Sequence, residues 1–73
     1  MIDEIITILA KHTEYPAQQM RAETKLVADL GLNSYDVISI VTEFEDAFDI
    51  EIPDKDIKKL QTIGDAAAYI ESK

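Results

Sequence analysis

The residue whose type and place could do chemistry is Ser34. It follows Gly31-Leu32-Asn33 and opens a run of helical period, so a glycine-containing turn delivers a hydroxyl to a helix start. Such a hydroxyl has two uses. As a helix N-cap it satisfies an unpaired amide, and its loss costs about 0.5 to 2 kcal/mol. In the other it stands beside first-turn amides and the positive end of the helix dipole, which stabilise an anion there even on an acidic chain. A triad of Ser34, His12 and an aspartate has no spacing to support it. Cysteine is absent, so there is no disulfide, thiolate nucleophile or cysteine-based zinc site, and any thiol chemistry must be imported. His12 has no second His or Cys with which to share a metal and reads as a helix-end residue favoured by the C-terminal dipole. Asp54, Asp56 and Asp65 match the first, third and twelfth positions of an EF-hand loop. Lys58 and Lys59 fall on its fifth ligand and its required glycine, so no specific metal site is expected.

The elements that must position Ser34 follow from periodicity. Ile2, Ile5, Ile6 and Leu9 predict an amphipathic helix over about the first dozen residues, ending near His12, and Tyr15-Pro16 begins a connection. From Thr13 to Asn33 there is no sustained period, although Leu26, Val27 and Leu30 suit one helical turn on the core. A connection this long in a small domain is more often functional or specially packed. The strongest period runs from Ser34 to about Phe48, with Val37, Ile40, Val41, Phe44, Ala47 and Phe48 on one side and Asp36, Ser39, Glu43 and Asp46 on the other. Tyr35 and Ile38 lie off the apolar stripe and are expected to face outward. Pro53-Asp54 starts a short helix carrying Ile57 and Leu60, and Thr62 with Asp65 has the spacing of a capping box before Ile63, Ala66, Ala67, Tyr69 and Ile70. The expected fold is all-α: a small four-helix bundle of three principal helices plus one short helix, with a long first loop, in a single domain over residues 1–73.

Seventy-three residues allow one modest core, and an enzyme pocket would consume the residues that build it. The chain carries 15 acidic against 7 basic residues, a net charge of −8, which excludes nucleic acid and points to basic protein partners. Between Lys25 and Lys55 there is no basic residue, while Asp29, Asp36, Glu43, Glu45, Asp46, Asp49, Glu51 and Asp54 fill the interval. Self-repulsion there is expected to lower stability, and salt or divalent cations to raise it. Asp3 and Glu4 stand where a signal peptide carries Lys or Arg, and no membrane span is expected, so a complete, free-standing cytoplasmic monomer is the expectation.

The run Asp29-Leu30-Gly31-Leu32-Asn33-Ser34-Tyr35-Asp36-Val37-Ile38 resembles the Asp-Ser-Leu attachment motif of acyl carrier proteins. Glu43-Phe44-Glu45-Asp46-Ala47-Phe48-Asp49-Ile50-Glu51-Ile52-Pro53-Asp54 is similar to the family's acidic helix end and Ile-Pro-Asp loop, and Thr62 to Ile70 to its closing helix. The resemblance covers nearly the whole chain. It implies that Ser34 holds a 4′-phosphopantetheine arm, attached by a phosphopantetheinyl transferase (carrier-protein synthase), whose thiol carries acyl chains as thioesters. It implies a carrier and not an enzyme, serving fatty acid biosynthesis, with the acyl chain folding back among the helices. The surface read by acyl-processing enzymes with basic docking patches would comprise Asn33, Tyr35, Asp36, Ile38, Ser39, Thr42, Glu43, Glu45, Asp46 and Asp54. Asn33 stands where the family usually has Asp, Tyr35 where it has Leu, and Ser39 and Thr42 where fatty-acid carriers commonly have Glu and Met. Peptide-synthetase carriers usually show glycines ahead of the serine, unlike Leu32-Asn33. A specialised polyketide or other secondary-pathway carrier, and an unmodified acidic helical adaptor for basic proteins, are the alternatives.

Overall fold

Apolar residues at helical spacing build α1 (Ile2–Leu9) and α2 (Ser34–Phe48), which are followed by a short α3 (Asp54–Ile57) and a closing α4 (Ile63–Glu71) in a computed structural model describing residues 1–73. There are four helices and no strand, and an isolated bridge pairs Lys25 with Thr62. The all-α expectation and the bounds of α2 agree with this architecture. No helix is long and apolar enough to cross a membrane.

α1 packs against both α2 and α4. Its buried face is therefore wider than the stripe read from its sequence: Ile8 is buried beside Ile5 and Leu9, while Ile2 and Ile6 are half-buried. Phe44, Ile5, Leu9, Ile40 and Ile63 are fully enclosed, and burial of each such side chain contributes about 1.5 to 3 kcal/mol. α1 is also shorter than the dozen residues expected. Past Leu9 the chain turns, with the Lys11 N–H donating to the Ile8 carbonyl at 3.2 Å and the His12 N–H to that of Leu9 at 2.9 Å. On α2, Ala47 lies at the margin of the apolar stripe in the last turn and is exposed, not buried as the period suggested.

The long first loop is packed. A 3₁₀ turn spans Ala17–Gln19, and Met20, Thr24, Leu26, Leu30 and Leu32 all point inward. Val27 does not: it is 61% exposed, since of the three residues expected on this turn only Leu26 and Leu30 face the core. Gly31 has φ 71°, in the left-handed region that glycine adopts without penalty. The loop is stitched to the start of α4 by three backbone bonds. The Leu26 N–H donates to Gln61 O at 2.9 Å, the Ile63 N–H to Thr24 O at 3.0 Å, and the Gly64 N–H to Ala22 O at 2.7 Å. A Cβ on Gly64 would lie 3.0 Å from the Ala22 carbonyl oxygen. The close approach explains a glycine that costs about 1 kcal/mol in helix propensity.

α2 ends without glycine. Asp49 takes φ 54° and ψ 52°, and its N–H and that of Ile50 both donate to the Glu45 carbonyl, the left-handed C-terminal arrangement that satisfies an orphan acceptor. The Glu45 carboxylate also accepts the Ile52 N–H at 2.9 Å, so one residue anchors the connection to α3 twice. α3 is held to α4 by Asp56, whose carboxylate accepts the Tyr69 hydroxyl at 2.6 Å and faces Lys59 at 3.2 Å.

Candidate functional site at the start of α2

Ser34 is the first residue of α2 and is exposed. The cap is Asn33: its side chain accepts the Asp36 N–H at 2.8 Å, and the Asp36 carboxylate returns a longer bond, 3.4 Å, from the Asn33 N–H. The alternative role of Ser34 as N-cap is therefore corrected. The capping box one residue upstream leaves its hydroxyl uncommitted, with no hydrogen bond inside the chain, and the Ser34 and Tyr35 amides make none either. Two orphan donors and the positive end of a fifteen-residue helix thus surround a free hydroxyl, an arrangement that favours an attached anion.

Beside this hydroxyl lies a groove of about 680 Å³. Val27 and Ala28 of the first loop, Val37 and Ile38 of α2, and Ile57 and Leu60 at α3 form its apolar lining, with Lys25, Asp54, Lys58 and Gln61 among its polar residues. The exposure of Val27 has a place here: it serves the groove and not the core. Tyr35 is 79% and Ile38 57% exposed, so the two bulky side chains off the apolar stripe do face outward around Ser34.

The acidic residues of α2 and the start of α3 divide into two groups. Asp46 is exposed, and Asp54 is exposed at the groove. Glu43, read from the sequence as part of a wet face, is half-buried and paired: the His12 ring N–H donates to its carboxylate, and Lys11 lies 3.6 Å away. Those partners, the His12 bond first and against the opposing effect of burial, hold its carboxyl below the usual range. His12 thus bridges α1 to α2 across 31 positions of sequence instead of only closing a helix end. Glu45 is committed to the Ile52 amide, and Asp36 to the capping box. Thr42 is exposed and donates to the Ile38 carbonyl at 3.1 Å, while Ser39 is half-buried where the wheel placed it outside. No group of three His, Asp or Glu side chains converges where a metal would sit. The Asn33 cap and the His12–Glu43 pair are what sequence reasoning missed. An Asx residue three before an aspartate signalled the first, and nothing local signals the second.

Residues 3–70 match the family described as the phosphopantetheine attachment site. The chain is 36% identical over 72 residues to an acyl carrier protein of Wolinella succinogenes, covering 99% of this chain and 95% of that one. It is 36% identical over 69 residues to an acyl carrier protein of Akkermansia muciniphila, covering 94% and 86%. In three dimensions it is similar to the acyl carrier protein from Enterococcus faecalis, with a TM-score of 0.86 and 34% identity over 97% of this chain and 90% of the other. An exposed, unbonded hydroxyl on the first turn of a helix, in a bundle of this shape, fits the group that defines such proteins. The chain belongs to the phosphopantetheine-binding carrier family, the family of acyl carrier proteins, which are carriers and not enzymes.

Proposed function

We propose that Ser34 is the attachment residue for 4′-phosphopantetheine, that residues 1–73 work as one carrier domain, and that it carries acyl intermediates of fatty acid biosynthesis in the cytoplasm. The observation that carries the reading is the Ser34 hydroxyl: exposed, unbonded, on the first turn of α2, with two orphan amides beside it and a groove alongside. Attachment forms one O–P bond at Ser34 Oγ and breaks the pyrophosphate bond of coenzyme A, the adenosine bisphosphate leaving and the hydroxyl proton passing to the transferase. When bound, the arm supplies a terminal thiol that holds an acyl chain as a thioester. The chain's own part is to hold Ser34 at the surface through the Asn33–Asp36 box and to stabilise the phosphodiester charge with the Ser34 and Tyr35 amides. It contributes no cysteine that would compete for the acyl group.

The partners proposed are a phosphopantetheinyl transferase and acyl-processing enzymes that present basic patches. Tyr35 and Ile38 offer them exposed apolar surface, Thr42 an exposed methyl with its hydroxyl bonded to Ile38, and Asp46 and Asp54 charge. A one-signed face of this kind speeds encounter by roughly 10 to 1,000-fold at low salt. Docking that is fast, weak and salt-sensitive suits a carrier that visits several enzymes. The test is intact mass after incubation with coenzyme A and a phosphopantetheinyl transferase, followed by acyl loading. One added arm and a hydroxylamine-sensitive acyl group are expected for the native chain, and neither for Ser34→Ala with its helical circular dichroism intact. A native chain that stays unmodified would overturn the reading.

A further inference from the structure

The groove beside Ser34 holds two positive charges that nothing in the fold uses. Lys11 is engaged by Glu43 at 3.6 Å and Lys59 by Asp56 at 3.2 Å. Lys25 and Lys58, which both line the groove, have no carboxylate within 4.0 Å. Each had an acidic neighbour available. Asp29 is turned instead onto the Lys25 backbone N–H at 2.8 Å, and Asp54, one helical turn before Lys58 and in the same groove, does not reach its ammonium group. The two lysines come from different segments that line the groove, one from the first loop, where its backbone is pinned by the bridge to Thr62, the other from the end of α3. Lys25 opens the long stretch that has no cation of its own, which Lys55 closes, and Lys58 follows three residues later.

An anion fixed to Ser34 would sit among Asp36, Asp54 and the rest of a chain of net charge −8. At physiological salt such charges are felt over roughly 8 Å, and the α2 dipole offsets them only within its first turn. We propose that Lys25 and Lys58 together bind the phosphodiester of the arm on Ser34, turning the arm into the groove over Val37, Ile38 and Ile57 instead of outward into solvent. This rests on attachment at Ser34. The ligand chemistry is an anion between two ammonium groups on an apolar floor, and the occupant is the phosphodiester itself, not a carboxylate at the far end of a cargo. The lysines are positioning residues: they set where the arm lies and take no part in its chemistry.

The experiment uses the arm-bearing, unacylated chain, which carries the phosphodiester and no cargo. Its preparation is verified by intact mass, and the measurements are the phosphorus NMR shift of the phosphodiester and the melting temperature relative to the unmodified chain. Native protein, Lys25→Gln/Lys58→Gln and Lys55→Gln are compared, the last removing one charge from α3 outside the groove. In the native chain and in Lys55→Gln, the arm is expected to raise the melting temperature by about 3 to 6 °C over the double variant's own increment at low salt, and by little at about 0.5 M salt. The phosphorus shift should move in the double variant and stay in Lys55→Gln. Equal increments and an unchanged phosphorus shift in all three proteins would overturn the proposal, as would a lysine dependence that appears only after loading with a dicarboxylic acyl group. Failure of the arm to attach at all would instead show as unchanged mass, sinking the Ser34 reading and this one with it.

Discussion

At the start of α2 the Asn33 side chain caps the Asp36 amide at 2.8 Å, and at the start of α4 Thr62 caps the Asp65 amide at 3.0 Å, an aspartate answering in both. Beyond that shared device the two helix starts diverge. In α4 the first two residues are enclosed or crowded: Ile63 is fully buried, and Gly64 lies against the Ala22 backbone and is bonded to it. In α2 the first two residues, Ser34 and Tyr35, are exposed and their amides unpaired. The same cap thus serves a joint in one helix and an open chemical position in the other. What separates them is the first loop, whose backbone bonds the start of α4 at Ile63 and Gly64 and leaves the Ser34 and Tyr35 amides of α2 unpaired.

Substitution at the first turns breaks this comparison most strongly. Gly64→Val forces side-chain atoms into the Ala22 carbonyl and is expected to destabilise by about 3 kcal/mol. Ser34→Ala touches nothing in the fold and should change stability by no more than about 0.5 kcal/mol, while removing all arm attachment. Chemical denaturation of both variants checks the pair. The caps come next. Thr62→Ala and Asn33→Ala should each cost about 1 kcal/mol, but only Asn33→Ala should also slow the transferase, because it frays the turn that presents Ser34. Transferase kinetics on the two variants, at a temperature where both are folded, separate a shared structural role from one that reaches the site.

Much of this contrast was legible in the sequence. The period of α2 showed its extent and most of its buried stripe, and it left Tyr35 and Ile38 outside, because a helix face that packs on one core must repeat. The Thr62–Asp65 box was legible because both partners are local. The Asn33 cap was not separated from Ser34, since two adjacent residues are both good caps and only backbone geometry decides between them. Val27 sits in a non-periodic loop whose path depends on where α3 lies. Glu43 looked like surface because its partner, His12, comes from another helix end, and Gly64 looked like a cost until Ala22 was found against it. Local rules reached the exposed serine at the start of α2, and its surroundings came from contacts distant in sequence.

A gentler contrast lies within α2, between Glu43 and Asp46. Glu43 has its carboxyl held below the usual value of 4.5, first by the His12 hydrogen bond. A carboxyl with a lowered folded value contributes stability above the unfolded value and loses it as pH falls through the folded one. Glu43→Gln should therefore cost roughly 0.5 kcal/mol near pH 6, with the difference from native shrinking as pH falls below 4.5 and through the lowered folded value. Asp46→Asn, which removes an exposed charge with no ion-pair partner, should cost nothing at any of these pH values. Denaturation midpoints across that range give the answer. Ionic strength sharpens the comparison least. Raising salt, or adding a few millimolar magnesium, should raise the melting temperature by a few degrees by screening the carboxylates between Lys25 and Lys55. An unchanged melting temperature would remove self-repulsion from the account.

The most direct measurement is localisation of the arm. After transferase treatment, peptide fragmentation should place a single phosphopantetheinyl group on residue 34, with Ser39, Thr42 and Ser72 bare although hydroxyls stand at each. A group found on any of those instead, or spread among several, would contradict the claim that the exposed first turn of α2, with its free Ser34 hydroxyl, is what the chain is built to present.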